Sequence, residues 1–215
     1  MAIPLRRLLF LLLSIVLLLI LLHVLSMPDF SWSLPLLTRI HYRFDLDSEG
    51  NIPTWYSTVL LFAVSFCSLG ISVLSYGHRH SQKFWLVFSC VYCYLSMDEA
   101  ASFHEYFGNI FFFNWVFVYA PFALAFFVLC VYHLLKCGNK TLRHWILSGL
   151  IVYALGGMGC ELIARLYRPL PPFLYKIEVI MEEGLEMTGS IIVLMGCLRE
   201  LIRFWSLERN KKITA

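Results

Sequence analysis

The chain has 215 residues, 60% of them hydrophobic and only 14% charged, against about 45–50% and about 25% in soluble domains. That leaves too little polar surface for a soluble globule and excludes disorder, which needs low hydrophobicity and high charge. A net charge of +3, with no basic run interleaved with aromatics, excludes a nucleic-acid surface.

A bilayer core takes roughly 20 apolar residues in helix. Six stretches meet this, at about 7–26, 55–76, 84–107, 113–135, 145–168 and 173–203. They predict an all-α integral membrane bundle of six transmembrane helices, forming one domain over 1–215. The first stretch follows Arg6 and Arg7. Its apolar run exceeds the ~7–15 residues of a signal-peptide core and no A-x-A site follows, so it reads as an uncleaved anchor.

The long connection, 27–54, contains FDLDSEGNIPTWYS from Phe44 to Ser57. Asp45, Asp47, Glu49, Gly50 and Ile52 match the opening of a calcium-binding EF-hand loop, but Tyr56 stands where a bidentate glutamate belongs. The competing reading is a turn at Glu49-Gly50-Asn51 leading into a helix with Pro53 near its first position. The third stretch ends in SMDEAASFHE, and 103–119 form an aromatic belt of the kind found at membrane interfaces. In the fifth, Gly156, Gly157 and Gly159 precede Glu161. Small residues allow close helix approach, here against the third or sixth helix. The odd number of cysteines, seven, scattered mostly through apolar stretches, argues against a disulfide framework. The Cys90/Cys93 pair reads as packing.

Basic residues set orientation. With a cytoplasmic N-terminus, twelve of the 17 Lys and Arg residues fall inside and five outside. Both termini are then cytoplasmic, and 27–54 and the RPLPP turn (168–172) face outward.

Eight acids fall within or at the ends of these spans: Asp98, Glu99, Glu105, Glu161, Glu178, Glu182, Glu183 and Glu186. An acid at mid-membrane costs on the order of 2.5–3.5 kcal/mol, so such groups face a bundle interior, pair, bind a cation or hold a proton. At ~1.5 Å per residue, Asp98, Glu161 and Glu182 lie at similar depth in the outer leaflet. Glu178, Glu182 and Glu186 share about 80° of arc, with Glu183 beside that stripe, and Asp98 and Glu105, seven apart, share another face. His104 lies about 100° from Glu105. Acids and an imidazole form a normal ligand mixture for zinc, manganese or iron.

Asp98, Glu99, His104, Glu105, Glu161, Glu178, Glu182 and Glu186 are therefore the candidate ligands of a divalent metal (zinc, manganese, iron or calcium). Asp98, Glu182 and Glu183 are the candidate catalytic groups. The expected function is a metal-dependent enzyme, hydrolase or oxidoreductase, acting on a lipid or lipid-linked substrate. The alternatives are a cation or proton transporter, or a non-catalytic subunit or assembly factor. Membrane lipids and other membrane proteins are the expected partners.

FDLDSEGNIPTW, SMDEAASFHE and EEGLEMTG together resemble three signature segments of an uncharacterised family of bacterial multi-pass membrane proteins, over Phe44 to Gly189. That resemblance implies a helical bundle in a bacterial inner membrane. Ser96 and Asp98 are weakly similar to the pattern of membrane hydrolases related to alkaline ceramidase. The last two helices contain no histidine, however, which argues against that group's three-histidine zinc site.

Overall fold

The computed structural model describes residues 4–27, 35–76, 79–104, 106, 115–167 and 169–214. Among them every regular element is helical. Six helices are long: α1 (Leu5–Ser26), α2 (Ile52–Leu74), α3 (Arg79–Ala101), α4 (Trp115–Lys136), α5 (Lys140–Leu166) and α6 (Pro172–Thr214). Between α1 and α2 lie a single turn, Pro35–Thr38, and a 3₁₀ turn, His41–Arg43.

Local chemistry explains two of the starts. Asn51 Oδ1 accepts the Thr54 amide at 3.2 Å ahead of α2, with Pro53 in the first turn, where its missing N–H costs nothing. Asn139 does the same for the Leu142 amide at 3.1 Å ahead of α5. At its far end α3 stops sooner than hydropathy suggests. Ser102 takes a left-handed φ of 52°, so the seven-residue spacing from Asp98 does not run along one continuous helix.

α1, α2, α4 and α5 are each long and apolar enough to cross a membrane. α3 and α6 carry most of the acids and are packed inward. Trp85, Phe88 and Tyr92 of α3, and Met187, Ile191, Val193, Met195 and Cys197 of α6, are fully buried. α6 has 43 residues and is about 65 Å long. It outruns its neighbours at the C-terminal end.

Small residues bring the helices together. Ser65 and Ser89 each donate from the hydroxyl to the other's carbonyl, at 2.8 and 2.9 Å. Ser72 donates to Gln82 O at 3.0 Å, and Ser96 to Thr58 O at 3.0 Å. The pairs 58/96, 65/89 and 72/82 have a constant sum, the register of two antiparallel helices, α2 and α3. Between α5 and α6 the spacers are glycines. A Cβ at Gly149 would lie 2.9 Å from Gly189 O, and one at Gly189 would lie 2.8 Å from Gly149 O. These helices touch backbone to backbone. α4 contacts α3 through rings, with His133 stacked on Phe84 at 3.8 Å and Phe126 against Phe88 at 5.3 Å.

The consequence is an up-and-down bundle. The C-terminal ends of α1, α3 and α5 and the N-terminal ends of α2, α4 and α6 gather at one end, together with the α1–α2 loop.

Candidate functional site

The α1–α2 loop is folded by its own polar side chains. Asn51, besides capping α2, donates from Nδ2 to the carbonyls of Asp45 (2.5 Å) and Ser48 (2.6 Å). Gly50 takes φ +73°, a conformation that glycine adopts without strain. The Asp47 amide (3.2 Å) and the Ser48 hydroxyl (2.8 Å) donate to the Asp45 carboxylate, closing an Asx turn. Tyr175, in the first turn of α6, donates to Asp47 Oδ1 at 2.6 Å and ties the loop to the bundle. Asp45 and Asp47 thus point to different partners rather than to one centre. The turn-into-helix reading of this segment describes the observed backbone.

Beside the loop lies a cluster of carboxylates, the carboxylate pocket. Glu49 of the loop is within electrostatic range of Glu99 on α3 and of Glu183 and Glu186 on α6. Glu99 is in the same range of Glu183 and Glu186, and Glu182 adjoins both of these. Glu99, Glu183 and Glu186 are half-buried. Among the described residues, no lysine or arginine forms an ion pair with any of these three.

α5 supplies the opposite wall. Its segment Leu155–Cys160 widens into a π-helical turn, a feature often found at functional sites. Gly156 and Gly157 within it are buried. A Cβ on Gly156 would stand 2.7 Å from Glu182 O and 2.9 Å from Glu186 N, and one on Gly157 would overlap the Glu186 carboxylate. The glycine motif therefore seats α5 on the glutamate-bearing stretch of α6. Glu178, Glu182 and Glu186 also lie in electrostatic range of Cys160, on the α5 side.

Asp98 is buried beside this pocket with both oxygens engaged. Oδ2 lies 3.1 Å from His104 Nδ1, and Oδ1 accepts the Tyr119 hydroxyl at 3.0 Å. Tyr94 and Tyr119 share a 2.6 Å hydroxyl contact, and Trp115 covers His104 with ring centroids 5.1 Å apart. The reversal at Ser102 returns His104 to Asp98, which a straight helix would prevent. Adjacent residues on a helix point about 100° apart, so Asp98 faces α4 while Glu99 faces α6.

The expected site residues thus divide into two groups. Asp98 pairs with His104, while Glu99, Glu182, Glu183 and Glu186 gather under Glu49. Glu178 lies one turn before Glu182, and Glu161 is half-buried just after the π-helical turn. Glu105 lies outside the described residues.

A third group joins α1 to the loop. His23, in the last turn of α1, His41 and Asp45 each offer a ligand atom, all within 4.8 Å of one another. Nothing in the hydropathy pattern marks it. The available signals were the i, i+4 spacing of His41 and Asp45 and a histidine closing an otherwise apolar helix.

No curated protein and no solved structure matches the chain. Over residues 8–201 it matches the model of a domain of unknown function, DUF8692, and the chain belongs to that family.

Proposed function

We propose that the protein is a multi-pass membrane protein, with six crossing helices and both termini cytoplasmic, whose carboxylate pocket binds a divalent metal at the outer leaflet of a bacterial inner membrane. The observation that carries this reading is the meeting of Glu49, Glu99, Glu183 and Glu186 from three chain segments, with no ion-paired lysine or arginine on the last three among the described residues. Like charges in a medium of low dielectric are held together only with protons or a cation among them. Zinc, manganese, iron and calcium all accept carboxylate oxygens. A metal held there supplies Lewis-acid activation of water, or of oxygen if it is iron, against a lipid or lipid-linked substrate. Glu182 completes the polar set, Asp98 stands beside it with His104, and Glu183 stands as general base. The test is elemental analysis of detergent-purified protein beside the Glu99→Gln/Glu186→Gln double variant. Loss of one metal equivalent in the variant is expected. Equal metal content in the two proteins refutes the proposal.

A second reading, proton or cation transport, is favoured by one observation. The Tyr92 hydroxyl and Ser190 Oγ, deeper in the bundle than the carboxylates, are buried without a hydrogen-bond partner among the described residues. Tyr153 lies in electrostatic range of both Glu186 and Tyr92. Polar groups in the bundle interior can line a path. Uptake into proteoliposomes that is abolished by Glu186→Gln would support this reading over the first.

A further inference from the structure

The geometry points to a separate transition-metal site formed by His23, His41 and Asp45, of nitrogen-plus-carboxylate character and suited to zinc. It clips the end of α1 to the α1–α2 loop. It is independent of the carboxylate pocket, with which it shares no residue.

The hydrogen bonds around His41 decide how its ring presents itself. The Ser26 hydroxyl donates to the carbonyl of His23 at 2.9 Å, so toward His41 Nδ1, 2.7 Å away, Ser26 acts as acceptor. With Nδ1 engaged by Ser26, it is Nε2 of His41 that faces Asp45 Oδ2, at 3.8 Å. On the other side His23 Nδ1 lies 3.5 Å from Asp45 Oδ1. Both separations are too long for hydrogen bonds. They are close to the ~3.4 Å that separates two ligands of a tetrahedral metal with bonds of roughly 2.0–2.2 Å.

The supporting shell is in place. Asp45 is oriented by the Asp47 amide and the Ser48 hydroxyl, and His41 by Ser26, the kind of outer contacts that fix metal ligands. His23 is only 4% exposed. The Leu46 amide donates to its Nδ1 at 3.1 Å, which leaves the proton on Nε2, a buried atom with no partner among the described residues. Metal binding at Nδ1 displaces the Leu46 amide. Two imidazoles and one carboxylate suit zinc, copper, iron or nickel rather than calcium or magnesium, which separates this site in kind from the all-carboxylate pocket.

The experiment is a Zn²⁺ titration of the full chain, stripped of metal and held in detergent, followed by calorimetry, with Co²⁺ absorption as a coordination readout. Wild type is expected to take up one Zn²⁺ per chain at this site, with the absorption of tetrahedral Co²⁺ after substitution. His41→Gln and Asp45→Asn are expected to weaken binding by at least ~100-fold, and Ser26→Ala, which removes no ligand, by roughly 10–100-fold. Glu99→Gln/Glu186→Gln is expected to leave the site intact, which keeps its fate distinct from that of the pocket. Circular dichroism and size-exclusion profiles confirm that each variant is folded, and Ser26→Ala carries the test should His41→Gln fail to fold. Absence of Zn²⁺ binding in wild type overturns the inference and leaves an imidazolium–carboxylate pair. So does binding unaffected by folded His41→Gln, Asp45→Asn or Ser26→Ala, and so does binding lost only in the glutamate double variant.

Discussion

Gly156→Ala tests whether α5 is seated on the glutamate stretch of α6 by backbone contact. The added Cβ would stand 2.7 Å from Glu182 O, 2.9 Å from Glu186 N and 3.0 Å from Glu186 Cγ. Favourable contacts of carbon begin near ~3.5 Å, so the helices must separate by roughly 0.5 Å or more. Two of the three obstructing atoms are backbone, and no rotamer change relieves them. Overpacking of this kind costs about 1–3 kcal/mol, offset by about 0.5–1 kcal/mol from replacing a helical glycine. The expected net loss is roughly 0–2.5 kcal/mol, and about 1–3 kcal/mol relative to an alanine that meets no such obstruction. Gly159→Ala is the internal control. Its Cβ would meet nothing closer than 3.6 Å, so the helix-propensity gain of about 0.5–1 kcal/mol is expected alone. Denaturant unfolding in detergent, followed by circular dichroism, measures both variants. Metal content of the pocket should fall with Gly156→Ala and hold with Gly159→Ala. Should Gly156→Ala and Gly159→Ala shift stability alike, the close α5–α6 contact does not exist.

Asn51→Ala removes the cap of α2 together with the bonds to the Asp45 and Ser48 carbonyls. A loss of about 1–2 kcal/mol is expected, with faster amide hydrogen exchange over 45–54 than in α5; unchanged exchange there shows that another group anchors the loop. The reciprocal Ser65–Ser89 bonds should give a coupling of about 0.6–1.7 kcal/mol in a double-mutant cycle with alanine, and zero coupling contradicts the paired geometry. At the opposite end of the bundle, Glu200 is buried and accepts from Arg203 Nε at 2.9 Å and from Arg203 Nη2. The Arg203 side chain is 49% exposed, so Glu200→Ala should cost about 1–2 kcal/mol rather than the ~3–5 of a fully buried pair, read from unfolding in detergent. A cost at the higher figure means that Arg203 is shielded in the membrane.

Much of the architecture was legible in the residues themselves. Hydropathy is local and accumulates along the chain, so the long apolar runs that became α1, α2, α4 and α5 stand out without tertiary information. The start of α2 was equally local, since Asn51 and Pro53 act on their own turn. Small residues marked close helix contacts, although whether the glycines faced α3 or α6 was open. What each acid faces was decided only in three dimensions, because it depends on how neighbouring helices rotate against each other. The backbone contact at Gly156 and the serine pairing of α2 with α3 set that rotation, turning Glu99 rather than Asp98 toward α6. The left-handed turn at Ser102 folded His104 back onto Asp98. His23, His41 and Asp45 met through a loop held by Asn51, across a chain separation that no periodicity spans. Spans are set by transfer free energy residue by residue; sites are set by convergence, which only the packed bundle supplies.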